Sequence, residues 1–269
     1  MDRRRFLHAS FLAALGACAG DELAPATPAS RSPSEEPATP PGTTPPEQPP
    51  SPSEEPATPP GTAAPEQPRP PSPTVAAASL DVLCREAWGA QPPGDGLVEH
   101  VIRQLTVHHS AVVLGDNRHT PARLRQHQQH HQSQGWPDIA YHLGVDRRGH
   151  VYDLRPAGFR GDTFTSYDPT GHFLVLAEGN FDSEQPTDAQ LEGVARAFAW
   201  GVGAFQVAAA TLTGHRDHAG TSCPGDALYA RIEDLRARVE ELATIGVERA
   251  DRCGPEAAAQ VTAIEAGTA

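Results

Sequence analysis

The sequence predicts an α/β domain, a central mixed β-sheet flanked by helices, preceded by a long segment that does not fold. Two observations carry this expectation. From Leu80 onward, short runs of β-branched and apolar residues alternate with longer runs at helical spacing. Composition also divides the 269 residues unevenly: 19 of the 28 prolines fall in residues 21–79, whereas all three Trp and all four Tyr come later. The later part, about 190 residues, suffices for one single-core domain.

The elements follow in order. Residues 100–109 (HVIRQLTVHH) read as a strand ending in two histidines. Thr120 as N-cap and Pro121 in the first turn open a helix over 120–134. Residues 139–145 and 150–154 read as a hairpin across Asp146-Arg147-Arg148-Gly149, and 173–177 as a buried strand. Thr187 or Asp188 caps a helix that ends near Phe205, and 211–213 form a short strand. Residues 226–242 form one amphipathic helix with Leu228, Ile232, Leu235 and Val239 on a stripe. The Ala-rich tail beyond Gly254 predicts no element. The expected divisions are therefore a signal peptide over 1–17, a linker over 18–79, the domain over 80–245 and an extension over 246–269.

The proline-rich stretch has almost no large apolar residues, so burial cannot offset its ordering entropy. Within it a near-perfect tandem repeat begins at Ser32 and again at Ser51, a period of 19 residues. Proline this frequent favours extended polyproline II, and about 58 residues at ~3.1 Å each would reach at most ~180 Å. It reads as a disordered spacer.

Ahead of the spacer, Arg3-Arg4-Arg5 is a basic n-region, Phe11-Leu12-Ala13-Ala14-Leu15 a short apolar core, and Leu15-Gly16-Ala17-Cys18 a small-residue ending. The apolar run is too short to span a bilayer. The segment resembles a bacterial lipoprotein signal, which implies lipid on Cys18, and its arginines before Phe6-Leu7 resemble a twin-arginine signal. The expected location is outside the cell membrane, anchored to it and facing periplasm or cell wall. An ordinary cleaved secretory signal is the alternative.

Net charge is −13, divided as +2 over residues 1–20, −6 over 21–79 and −9 over 80–269. A nucleic-acid partner would call for a basic face, and the densest basic run lies in the export signal. Nucleic acid is excluded as a partner.

Three side chains able to bind a transition metal stand at element ends: His108, His215 in Thr213-Gly214-His215-Arg216-Asp217, and Cys223 in Thr221-Ser222-Cys223-Pro224-Gly225. Two imidazoles and a thiolate suit Zn²⁺, and three protein ligands leave a fourth position open, the catalytic pattern. Pro224 suits a first helical turn, which would set Cys223 near a helix N-terminus that favours thiolate. His108 and His109 point to opposite faces of their strand, so at most one faces the site, and pattern alone does not choose between them.

These motifs resemble the zinc-dependent N-acetylmuramoyl-L-alanine amidases, a family that includes the peptidoglycan recognition proteins. The resemblance spans roughly Arg85 to Leu235. It is carried by Arg85-Glu86-Ala87-Trp88-Gly89-Ala90, Val107-His108-His109-Ser110, Ile139-Ala140-Tyr141-His142-Leu143-Gly144-Val145, Glu178-Gly179-Asn180-Phe181, Gly214-His215-Arg216-Asp217 and Thr221-Ser222-Cys223-Pro224-Gly225. It implies Zn²⁺ on His108, His215 and Cys223, Tyr141 hydrogen-bonding the zinc water or substrate carbonyl, and Thr221 at a position that stabilises the transition state. It further implies a monomeric hydrolase that cuts between N-acetylmuramic acid and L-alanine of peptidoglycan or muropeptides. The alternative is a non-catalytic recognition module of the same fold; inactive relatives typically lack the cysteine, which this chain keeps.

Relatives often carry a histidine after the second hairpin strand, where this chain reads Gly158-Phe159-Arg160-Gly161-Asp162. That segment is expected to shape substrate contacts. Glu178 reads as a surface residue at a strand end rather than a catalytic base, and the His127/His131 pair at i, i+4 as a solvated helix face. His109, His142 and His218 are expected to be structural, and Trp88 and Trp136 core or groove wall. Cys84 and Cys253 flank the domain and either pair in an oxidising compartment or stand as two thiols.

Overall fold

The computed structural model describes residues 77–269. The expected signal, the lipidated Cys18 and nearly all of the repeat-containing linker lie outside the described residues. Within them, a seven-stranded mixed sheet has the order β6-β2-β5-β3-β4-β1-β7. The strands are β1 (Ala78–Leu83), β2 (Gln104–His109), β3 (Leu143–Val145), β4 (Val151–Asp153), β5 (His172–Ala177), β6 (Leu212–Gly214) and β7 (Val247–Arg252). Only β3 and β4 pair antiparallel. The central β5 is buried along its whole length, as expected for a parallel strand covered on both faces.

Each face of the sheet has its own core. On one, Leu105, Val107, Phe173, Val175 and Ala177 pack with α2 (Asp188–Phe205) and the helix over Ile232–Ile245. On the other, Leu83, Tyr152, Leu154 and Leu176 pack with Trp88, with Leu124 of α1 (Thr120–Ser133), and with the C-terminal helix. Thr187 caps α2 as expected, its hydroxyl accepting the Gln190 N–H. Thr120 does not cap α1. Asp116 caps a short 3-10 turn over Asn117–His119 that runs straight into the helix, which leaves Thr120 buried as its first residue.

The helix expected over 226–242 is two: α3 (Asp226–Tyr229) and α4 (Ile232–Ile245). Backbone and side-chain bonds tie the first turn to the loop after β5, with Phe181 O accepting the Ala227 N–H and Asp182 accepting the Asp226 N–H. Leu228, Ile232, Leu235 and Val239 are nonetheless all buried, so the apolar stripe continues across the break and hides it from a pattern reading.

The expected boundaries at Leu80 and Ile245 are corrected. β1 begins at Ala78, and the supposed extension over 246–269 supplies β7 and α5 (Gly254–Ala266). β7 pairs with β1 along six residues, and α5 buries Ala257, Val261 and Ile264 at i, i+4, i+7. A disulfide joins Cys84, just past β1, to Cys253, just past β7.

Candidate metal centre

Strand register assembles the site. Leu105, Thr106 and Val107 of β2 pair with Leu212, Thr213 and Gly214 of β6, so His108 and His215 leave the two strands side by side, ring centroids 4.7 Å apart. Leu105 and Val107 belong to the α2 core; alternation therefore turns His108 to the face that α1 covers and His109 away from it. His109 instead stacks on Phe181, whose N–H its Nδ1 accepts.

Cys223 returns to this point through backbone. Arg216 N–H donates to Cys223 O, and Gly225, at φ 86°, lies so close to Phe181 that a Cβ there would stand 2.5 Å from its carbonyl carbon. α3 begins only at Asp226, after an N-cap at Gly225, so Pro224 does not stand in its first turn. A backbone donor does reach the sulfur: the His109 N–H donates to Cys223 Sγ at 3.4 Å.

His108, His215 and Cys223 are all buried, and one ligand atom from each lies within 4.8 Å of the others. His108 Nδ1 is 3.6 Å from Cys223 Sγ. Tetrahedral zinc with Zn–N of about 2.0–2.1 Å and Zn–S of about 2.3 Å sets its ligands ~3.5 Å apart. His215 Nδ1 is buried with no hydrogen-bond partner, an orphan that a cation would satisfy. Burial, followed by the neighbouring histidines, pulls His108 well below the ordinary imidazole range and His215 down to about 4. Both rings are neutral at neutral pH, the form that ligates. The residues fit zinc.

A cavity opens beside His108 and His215, lined by Tyr141, by His127, His130 and His131 of α1, and by Trp136, Thr163 and Phe164. Tyr141 lies 5.1 Å from the His108 ring, centroid to centroid. Trp136 and Phe164 are 4.2 Å apart and form an aromatic wall, while Trp88 is core. Thr221 is not on the cavity wall; its hydroxyl accepts the Cys223 N–H at 3.2 Å and bears on the loop that carries the sulfur.

Two expectations are overturned here. The α1 histidines do not form a solvated face, since His131 is buried against Trp136 and Tyr141 and all three line the cavity. Glu178 is not a surface residue. It is fully buried, and His127 Nε2 approaches its Oε1 to 3.2 Å at an angle too poor for a hydrogen bond, leaving both carboxylate oxygens without a donor. Neither fact was readable in the sequence, because the i, i+4 histidine pattern does not say what a helix face meets.

The loop after β4 is held by buried Arg155, which pairs with Asp162 at 2.7 Å and donates to the carbonyls of Asp138 and Ile139. Asp162 lines the cavity. Just past it, Thr165 Oγ1 stands 2.8 Å from His215 Nε2, a contact no motif signalled. His142 and His218 are bonded in place, His142 Nε2 donating to Phe159 O and His218 Nε2 meeting Thr213 Oγ1.

Residues 99–226 match the family model described as N-acetylmuramoyl-L-alanine amidase. The human N-acetylmuramoyl-L-alanine amidase is 35% identical over 155 residues, covering 54% of this chain but only 26% of that protein. Mouse peptidoglycan recognition protein 1 is 30% identical over 158 residues, 56% of this chain and 86% of that protein. Among solved structures, peptidoglycan recognition protein-LE in complex with tracheal cytotoxin, a monomeric diaminopimelic acid-type peptidoglycan, superposes with a TM-score of 0.52 at 26% identity, over 57% of this chain and 92% of that one.

Proposed function

The chain belongs to the N-acetylmuramoyl-L-alanine amidase family that includes the peptidoglycan recognition proteins, its function concerns peptidoglycan, and we propose that it is a catalytic member. The reaction is hydrolysis of the amide between N-acetylmuramic acid and L-alanine of the stem peptide, with Zn²⁺ as cofactor on His108, His215 and Cys223. The convergence of those three buried side chains, with His108 and His215 on the wall of the cavity, carries the reading. When bound, zinc polarises a carbonyl and brings the pKa of a coordinated water to about 7.

The chain's own groups supply the rest. His108 and His215 are held neutral by burial, so both lone pairs remain available at physiological pH. Tyr141, over the His108 ring, presents a phenol that can donate to the oxyanion developing on the lactyl carbonyl. Trp136 and Phe164 offer apolar surface against which the substrate can pack. Thr221 acts through the Cys223 backbone, holding the sulfur's loop in place.

The protein works outside the cytoplasmic membrane in this reading, as a monomer held by lipid on Cys18 with the proline-rich repeat as spacer, a proposal that rests on residues 1–79 of the sequence. Labelling with radioactive palmitate, expected in the wild type and absent in Cys18→Ala, tests the anchor.

The activity is tested by incubating the full chain with peptidoglycan, with and without chelator, and identifying the released ends by mass spectrometry. Stem peptides with new alanine amino termini, absent with chelator, are expected. Retention of peptidoglycan without any cleavage would establish the recognition module instead.

A further inference from the structure

The loop between β4 and β5 carries polar contacts that the metal ligands alone do not explain. Its residues 163–167 are laid out with alternating sides. Thr163, Thr165 and Tyr167 turn to His215, with Thr165 Oγ1 at 2.8 Å and Thr163 Oγ1 at 3.5 Å from Nε2 and the Tyr167 ring centroid 4.9 Å from the imidazole. Phe164, between them, turns the other way to Trp136, His130 and His131.

We infer that Thr165 is the positioning residue for His215, fixing the tautomer and the ring plane in which Nδ1 is offered to the metal, and that Thr163 completes the relay. The inference rests on the zinc reading above. An imidazole that gives the lone pair of one nitrogen to a cation carries its proton on the other. His215 Nδ1 is the buried atom without a partner, and Nε2 is the atom facing a hydroxyl. Nε2–H therefore donates to Thr165 Oγ1. The Thr165 hydroxyl, its acceptor side engaged, donates to Thr163 Oγ1 at 2.8 Å, and that oxygen also accepts the Thr165 N–H at 3.1 Å. Run in this direction, the network accommodates the tautomer that ligates through Nδ1, the one a cation on that nitrogen selects. Outer partners of this kind raise the basicity of the ligand and hold its orientation. The same loop thus holds a ligand with one side and builds the substrate wall with the other.

The test is zinc affinity, measured on the full chain by competition with a chromophoric chelator. Thr165→Val, which keeps the shape and removes the hydroxyl, is expected to weaken zinc binding by about 10–100-fold, with Thr165→Ser restored to within about threefold of wild type. Phe164→Ala, on the opposite side of the loop, is expected to keep wild-type affinity. Thr165→Ala serves the same comparison should the valine variant not fold. Equal affinity for wild type and the valine variant overturns the inference and leaves the hydrolase reading standing, as does an equal loss in Phe164→Ala, which would make the effect one of loop integrity. A wild type that does not bind zinc at one ion per chain overturns the metal reading itself.

Discussion

His108 Nδ1 and Cys223 Sγ stand 3.6 Å apart although 115 residues separate them in the chain. That spacing matches one edge of a zinc coordination tetrahedron, and it arises from backbone: parallel pairing of β2 with β6 sets the first histidine beside the second, and the Arg216–Cys223 bond folds the sulfur back over both.

Removing the sulfur is the sharpest test of that centre. Cys223→Ser is expected to lower zinc affinity by more than the ~100-fold upper end seen for outer-sphere partners, and to abolish release of stem peptides. Inductively coupled plasma measurement of zinc in the purified variant, alongside the cleavage assay, checks it. A variant that retains one zinc per chain would exclude Cys223 as a ligand.

Glu178 and His127 form a buried pair with no hydrogen-bond donor to the carboxylate among the described residues. His127→Leu leaves that carboxylate buried beside an apolar side chain and is expected to cost about 1–3 kcal/mol of stability. The double variant His127→Leu, Glu178→Leu is expected to recover most of the loss, since removing both partners of a buried pair is close to neutral. Urea unfolding midpoints of the three proteins decide it; a double variant no more stable than the single one would refute the pairing.

Burial drives both His131 and His142 down to about 3 from the ordinary 6.5. His142 is also bonded on both sides as a neutral ring, accepting Leu174 N–H at Nδ1 and donating from Nε2 to Phe159 O. Below pH 6.5 the unfolded chain takes up these protons and the folded one does not until about pH 3. Stability is therefore complete above 6.5 and falls as pH drops through that window, at up to about 1.4 kcal/mol per pH unit for each histidine. Denaturation at pH 7.5, 6.0 and 5.0 measures the slope, which His142→Phe should make shallower by one proton while lowering stability at neutral pH.

The disulfide closes a sequence separation of 169 residues at the β1–β7 edge, whereas His108 and His215 leave β2 and β6 at the other end of the sheet. Replacing Cys84 and Cys253 together by Ala is expected to cost about 2–5 kcal/mol. Zinc affinity should not change. Thermal melts and the chelator titration separate the two effects, and a joint loss of stability and zinc would show the edges to be coupled.

Much of this architecture is legible where local chemistry decides. Thr187 caps α2 because its hydroxyl reaches Gln190 N–H within the same turn, and residues 173–177 read as buried because both faces of the strand are apolar. The failures share a physical cause. β7 reads VERADR, a half-exposed edge whose only strand partner among the described residues is more than 160 residues away, and α5 shows just three buried positions in an Ala-rich run. The break between α3 and α4 is invisible because the apolar spacing continues across it.

By itself the sequence determined the mixed sheet with its covering helices and the identity and order of the candidate ligand residues, because residue type and short spacing are local properties. Tertiary structure alone decided which of the adjacent histidines faces the cavity, that Glu178 is buried beside His127, that Thr165 meets His215, and that the last 24 residues close the sheet. Each of these depends on pairing register between segments far apart in the chain, and register is set by the packing of both faces at once, which no window of sequence contains.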